Sequence, residues 1–195
     1  MSGEEQSDAD RIKPVQPTID ATDTEKLYYS QFLKAQKMVL NDRPTQPVDA
    51  ALFFGHSWFD GEKWGVYQLM VDLYKTGMVK YIVLYGSHGQ RFGDTIPNVV
   101  APSKDYARDR LVKMGVPDVH IINSELPEPT KNNTPSEGEG FLNTAQEKGW
   151  HSLIAIANPH QILRATLGLV TLINKQQRPF DIWSAAPTNT NWDKK

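Results

Sequence analysis

Residues 153–173 read LIAIANPHQILRATLGLVTLI, and the character of the chain changes at their midpoint. Leu153, Ile154, Ala155 and Ile156 run together without a polar break, as in a strand covered on both faces. Asn158, Pro159 and His160 follow, and after them the apolar positions recur at helical spacing around Arg164. A buried strand that turns directly into a helix is half of a β-α-β unit. The stretch therefore predicts a parallel sheet with helical crossovers.

The rest of the chain repeats the theme. Short runs rich in branched and aromatic residues stand at 50–55 (AALFFG), 81–86 (YIVLYG), 119–122 (VHII) and 180–185 (FDIWSA). Between the five runs, segments near 62–77, 102–115, 137–148 and 160–174 show helical spacing, and Gly77 and Gly115 read as helix stops. The predicted fold class is α/β: a Rossmann-like three-layer sandwich with a mostly parallel five-stranded sheet. One long connection, NSELPEPTKNNTPSE at 123–137, is of the length that functional loops have.

Residues 1–22 are polar, contain proline and lack aromatics, so the sequence predicts a disordered leader followed by a single α/β domain over 23–195. Within that domain, 24–40 carries a helical stripe of Leu27, Tyr28, Phe32, Leu33, Ala35, Met38 and Val39, with Thr24 or Asp23 as cap. Composition removes whole classes of chemistry. With no cysteine, disulfides, thiolate metal sites and thiol nucleophiles are excluded. The 21 basic and 23 acidic residues nearly cancel, which argues against nucleic acid as partner. No run of 18 apolar residues and no signal-like amino terminus is present, so the expectation is a cytoplasmic protein without membrane attachment. Oligomeric state has no sequence signal.

In open parallel sheets ligands bind beyond the carboxyl ends of the strands. The residues there are Gly55, His56 and Ser57; Gly86, Ser87, His88 and Gly89; Asn123, Ser124 and Glu125; Asn158, Pro159 and His160; and Ser184. Three of the five histidines fall in this set, which draws attention to them. Asn158 is a helix cap, Pro159 suits a first helical position, and His160 would then lie in a first turn among unpaired amides. Arg164, one turn on, adds a guanidinium able to grip phosphate or carboxylate on two oxygens. The competing structural reading is that Asn-Pro merely starts a helix and that Arg164 is a surface cation.

The glycine turns at Gly55 and Gly86 let backbone amides approach a ligand, or simply permit tight turns. Neither is GxGxxG or a Walker loop, and GSHG is not the elbow of a serine hydrolase, so a serine triad on Ser57 or Ser87 is not expected. His56, His88 and His160 with Glu137 or Asp60 lack short metal-ligand spacing, so no metal site is assigned. Trp58, Phe59 and Trp64 stack on a ligand ring or cover a core edge. His120 and His151 flank strands at the opposite, amino-terminal edge and read as structural or surface residues.

Taken in order, the glycine-ended first strand, YKTG (74–77), YARDRLVKMGVPDVHIINSE (106–125), NNTPSEG (132–138) and NPHQILRA (158–165) resemble the YdcF-like or SanA-like family, catalogued as domain of unknown function 218. The resemblance covers about residues 48–172. It implies a Rossmann-like fold and a pocket lined by Gly55, Gly86, Asn133, Thr134, Glu137, His160 and Arg164, suited to a phosphorylated or nucleotide-like molecule. It also implies, for some members, a link to cell-envelope metabolism and an amino-terminal membrane segment, which residues 1–22 do not lead one to expect here. Three features depart from the family pattern: Ser103, Lys104 and Asp105 replace an acidic helix start, Pro135 and Ser136 lengthen the Asn-Thr motif, and GSHG replaces paired glycines.

These readings converge on a small molecule as partner. His160 is the candidate general acid or base and Glu137 its orienting carboxylate, while Gly55, His56, Ser57, Gly86, Ser87, His88, Asn133, Thr134 and Arg164 are the candidate ligand contacts. The reaction class expected is that of a hydrolase or transferase acting on a phosphate-bearing or nucleotide-like substrate. Two alternatives stand beside it: a non-catalytic module sensing S-adenosylmethionine or a similar metabolite, and a metal-dependent hydrolase using the strand-end histidines.

Overall fold

In the computed structural model, which describes residues 42–55, 65–85, 104–125 and 134–187, each of the five apolar runs supplies a strand. The strands are β1 (Val48–Phe53), β2 (Val79–Tyr85), β3 (Ile121–Ser124), β4 (Ser152–Ile156) and β5 (Asp181–Ala185). Between them lie α1 (Val66–Lys75), α2 (Lys104–Lys113), α3 (Thr134–Glu147) and α4 (Ile162–Gln176). The leader expected over 1–22 and the helix expected over 24–40 lie outside the described residues, as do His56, Ser57, Gly86, Ser87, His88 and Asn133.

All strand pairs are parallel and the order is β3-β2-β1-β4-β5. Chain order thus runs outward from β1 to β3, then returns past β1 to β4 and β5. That return decides which faces the helices cover. Val66, Met70 and Leu73 of α1 and Ala107 and Leu111 of α2 pack with Ala51, Phe53, Ile82, Leu84, Ile154 and Ile156. Phe141, Leu142 and Ala145 of α3 and Ile162, Ala165, Leu169 and Ile173 of α4 pack on Leu52, Phe54, Val83, Tyr85, Leu153 and Ala155. Successive strand residues point to opposite faces, so covering both faces requires the unbroken apolar runs seen in the sequence. The α/β three-layer architecture expected from those runs is present.

Element ends differ from expectation where side chains, rather than periodicity, set the boundary. α3 begins at Thr134, earlier than the expected 137, so Thr134 opens a helix instead of closing a long loop. Thr134-Pro135-Ser136-Glu137 has proline at a first-turn position and the Thr-x-x-Glu spacing of a capping box, both of which start helices. α4 begins at Ile162 and not at residue 160, because Asn158 first folds residues 159–161 into a turn. Gly77 and Gly115 end their helices as expected, with φ of 73° and 100°.

The amino edge of the sheet is tied by side chains. Asp49 of β1 accepts hydrogen bonds from the amides of His151 (3.0 Å) and Ser152 (3.2 Å), from the Ser152 hydroxyl (2.8 Å) and from Lys80 Nζ (3.4 Å). Burial pushes its carboxyl pKa upward, but these donors outweigh burial and leave it below the ordinary value. His120 Nδ1 meets the Tyr74 hydroxyl at 2.5 Å, and Tyr81 stacks on Trp150 with centroids 5.2 Å apart. Arg108 of α2 donates to the Asp118 carboxylate (2.6 Å), the Ile121 carbonyl (2.9 Å) and the Asp118 carbonyl (3.1 Å), which fastens the entry to β3.

Candidate functional site

The strand order contains a reversal of winding, between β1 and β4. β1 and β4 are neighbours, with Phe53 paired to Ile156 and the Phe54 amide bonded to the Ile156 carbonyl at 2.8 Å, yet their outgoing connections diverge. The chain leaves β1 toward α1 on one face and leaves β4 toward α4 on the other. Such a reversal of winding is where open parallel sheets hold ligands. Gly55 ends the first exit with φ of 138°, a conformation strained for any residue with a side chain. Asn158, Pro159 and His160 make the second.

The exit from β4 is built around Asn158. This side chain is 5% exposed, and its Oδ1 accepts the amides of His160 (2.9 Å) and Gln161 (3.0 Å). Its carbonyl oxygen accepts the amides of Gln161 and Ile162, both at 3.0 Å. Asn158 thus closes a turn over residues 159–161 and does not cap α4 itself, whose N-cap is Gln161 with no side-chain cap bond. The same bonds correct the sequence reading of unpaired amides in this turn: those of His160, Gln161 and Ile162 are bonded to Asn158, and Pro159 has none. Negative charge at this turn would be met by side chains.

His160 and Arg164 both stand exposed, four residues apart. On α4 the row continues through Gly168 and Leu172, and these two contact α3. A Cβ added at Gly168 would lie 3.9 Å from Thr134 Cγ2, and one added at Gly138 would lie 2.9 Å from Leu172 Cδ1. Arg164 thus occupies the α3-facing side of α4, one turn (about 5.4 Å) beyond Gly168 toward the carboxyl edge. Among the described residues it has no hydrogen-bond or ion-pair partner. Thr134 of α3 thus lies near Gly168 of α4, one turn from Arg164 along that helix.

Glu137 stands elsewhere on the same edge. It lies one turn before Phe141 on α3, and Phe141 meets the ring of Tyr85 edge-on at 5.8 Å between centroids. Tyr85 ends β2, is 9% exposed, and its hydroxyl is buried with no hydrogen-bond partner among the described residues. Burial first, and the Glu137 charge second, push its pKa up to about 12, so the phenol stays protonated at neutral pH. Sequence inspection passed over Tyr85 because a tyrosine closing an apolar run reads as core. The one available signal was its position, immediately before the strand-ending Gly86.

Two further buried side-chain oxygens without a partner among the described residues, Asn123 Oδ1 and Gln161 Oε1, also lie toward the carboxyl ends of their strands, and only Gln176 Oε1 lies away from them. Native interiors rarely leave such atoms unpaired. Ser184, counted among the strand-end residues, is instead a buried member of β5. No group of three metal-ligating side chains that could hold an ion occurs among the described residues, and His56 and His88 lie outside them. Nor is any helix among them long and apolar enough to cross a membrane.

The chain matches no family model, no curated protein and no solved structure.

Proposed function

We propose that this chain is a YdcF-like protein that binds, and chemically transforms, a phosphate-bearing or nucleotide-like small molecule at the carboxyl edge of its sheet. The observation that carries the reading is the winding reversal between β1 and β4, with the Gly55 turn and the Asn158 turn side by side. Arg164 supplies the charge: a guanidinium with no partner among the described residues, on the side of α4 that faces Thr134.

In this reading Arg164 grips the phosphate, with Thr134 beside it and the macrodipole of the fifteen-residue α4 adding a favourable field. His160, held by its amide on Asn158, is the general acid or base for a hydrolase or transferase step. Glu137 orients the water or hydroxyl that reacts. The strand-end residues His56, Ser57, Gly86, Ser87, His88 and Asn133 remain ligand contacts in the proposal.

A thermal-shift screen of nucleotides, sugar phosphates and S-adenosylmethionine tests it, because a ligand that binds only the folded state stabilises by about 2.7 kcal/mol at a hundredfold excess over Kd. The expected result is stabilisation by phosphate-bearing compounds that Arg164→Ala abolishes. Stabilisation by S-adenosylmethionine alone, unchanged in Arg164→Ala, would replace this reading with the non-catalytic sensing module.

A further inference from the structure

Tyr85 holds a polar group that no described residue uses. Its ring is fixed by Phe141, and Gly140 makes the room: a Cβ there would lie 3.6 Å from Tyr85 Cε2, 3.0 Å from Ser124 Oγ and 2.9 Å from the Glu125 carbonyl oxygen. The hydroxyl at the end of that ring is buried and has no hydrogen-bond partner among the described residues. A buried hydroxyl left this way costs free energy that folding alone does not return. Glu137 lies three residues before Gly140 and four before Phe141, so it shares the face of α3 that meets Tyr85, one turn nearer the carboxyl edge.

The two groups make a complementary pair. A phenol that stays protonated donates, and an ionised carboxylate accepts, with lone pairs for more than one donor. A phosphate is repelled by the carboxylate at this end. A neutral hydroxyl satisfies the phenol and adds a donor to the carboxylate, since it accepts one hydrogen bond and donates another.

We propose that Tyr85 and Glu137 form a subsite for a sugar hydroxyl, with Tyr85 Oη donating to the hydroxyl oxygen and the hydroxyl donating to the Glu137 carboxylate, so that the ligand class is a sugar phosphate. This deepens the carboxyl-edge reading and rests on it for the phosphate end, where Arg164 stands. The two ends of the pocket then select different parts of one molecule. Tyr85 is a binding residue here, and its role is separable from packing because Tyr85→Phe keeps the ring.

The test is calorimetric titration of the full-length protein with ribose 5-phosphate, inorganic phosphate and D-ribose, on the parent chain and on Tyr85→Phe, Glu137→Gln and Arg164→Ala, each first shown to be folded by circular dichroism. The expected result is that ribose 5-phosphate binds about tenfold more tightly than inorganic phosphate. Tyr85→Phe removes that advantage and leaves phosphate binding intact, Glu137→Gln removes the advantage, and Arg164→Ala weakens binding of both ribose 5-phosphate and phosphate. Equal binding of ribose 5-phosphate and phosphate, or an advantage that survives both Tyr85→Phe and Glu137→Gln, overturns the hydroxyl subsite while the phosphate reading stands. Binding of ribose and ribose 5-phosphate with equal strength, lost in Tyr85→Phe and untouched in Arg164→Ala, upholds the subsite and overturns the phosphate reading. Absence of binding by all three probes overturns both.

Discussion

The Oδ1 atom of Asn158 accepts the amide of His160 at 2.9 Å, so a residue two beyond the end of β4 also fixes the backbone of the residue proposed to do chemistry. The same oxygen takes the amide of Gln161, which ties the start of α4 to the end of β4. Asn158→Ala removes the one side-chain acceptor of both amides from a buried turn. The expected cost is about 1–2 kcal/mol, the range for loss of a side chain that caps backbone amides, read as a lower urea midpoint at unchanged slope. Asn158→Asp, which keeps the acceptor, should recover most of it.

Asp49 anchors the opposite edge and provides a control remote from the proposed pocket. Its folded-state pKa lies below the ordinary value, so its contribution is present above about pH 4 and is lost as pH falls through the lowered pKa. Asp49→Asn should flatten the acid limb of a stability-against-pH curve. It should leave ligand binding at the carboxyl edge unchanged. Unaltered acid sensitivity in the variant would show that its four donors contribute nothing net.

The two glycines of α3 predict unequal outcomes from the same substitution. A Cβ at Gly140 would stand 2.9 Å from the Glu125 backbone oxygen, which cannot step aside without moving the end of β3. One at Gly138 would meet Leu172 Cδ1, the far end of a flexible side chain. Alanine also gains about 1 kcal/mol of helix propensity over glycine. Gly140→Ala should therefore destabilise by about 1–3 kcal/mol despite that gain, and Gly138→Ala should be near neutral. Thermal unfolding of the pair decides the matter, and equal midpoints would refute the close approach at Gly140.

Tyr85 should be visible in an alkaline titration. Its pKa is raised to about 12 by burial and by Glu137, so one phenol should ionise late in the tyrosinate absorbance curve. That late step should vanish in Tyr85→Phe and move to lower pH in Glu137→Gln. Because the folded-state pKa is raised, this group's contribution to stability is intact below pH 10 and falls away between pH 10 and about 12.

Five strands and four helices were legible in the sequence for a common physical reason. Burial on both faces demands unbroken apolar runs, and Gly77 and Gly115 supply the positive φ at which a helix stops. Strand order was not legible, because nothing local in AALFFG or LIAIAN states that β1 pairs with β4; that pairing joins Phe53 to Ile156 across more than half the chain. An amide acceptor at Asn158 could be read directly, yet its effect on the neighbouring amides could not, since the same oxygen serves both His160 and Gln161. Tyr85 escaped notice because its polar atom lies at the far end of an otherwise apolar ring. The family pattern implied a pocket lined by Gly55, Gly86, Asn133, Thr134, Glu137, His160 and Arg164, of which Gly86 and Asn133 lie outside the described residues. In the fold, Thr134 lies near Gly168 at the α3–α4 seam, while the charge of Glu137 reaches Tyr85.

The central claim is that ligand binds where the winding reverses. Backbone amide resonances of the full-length protein, followed while ribose 5-phosphate is added, test it most directly. The account predicts shifts concentrated at Gly55, at residues 160–164 and around Thr134, with Asp49, His151 and Ser152 unmoved. Saturable shifts confined to the amino edge, around Asp49, His120 and Trp150, would contradict it.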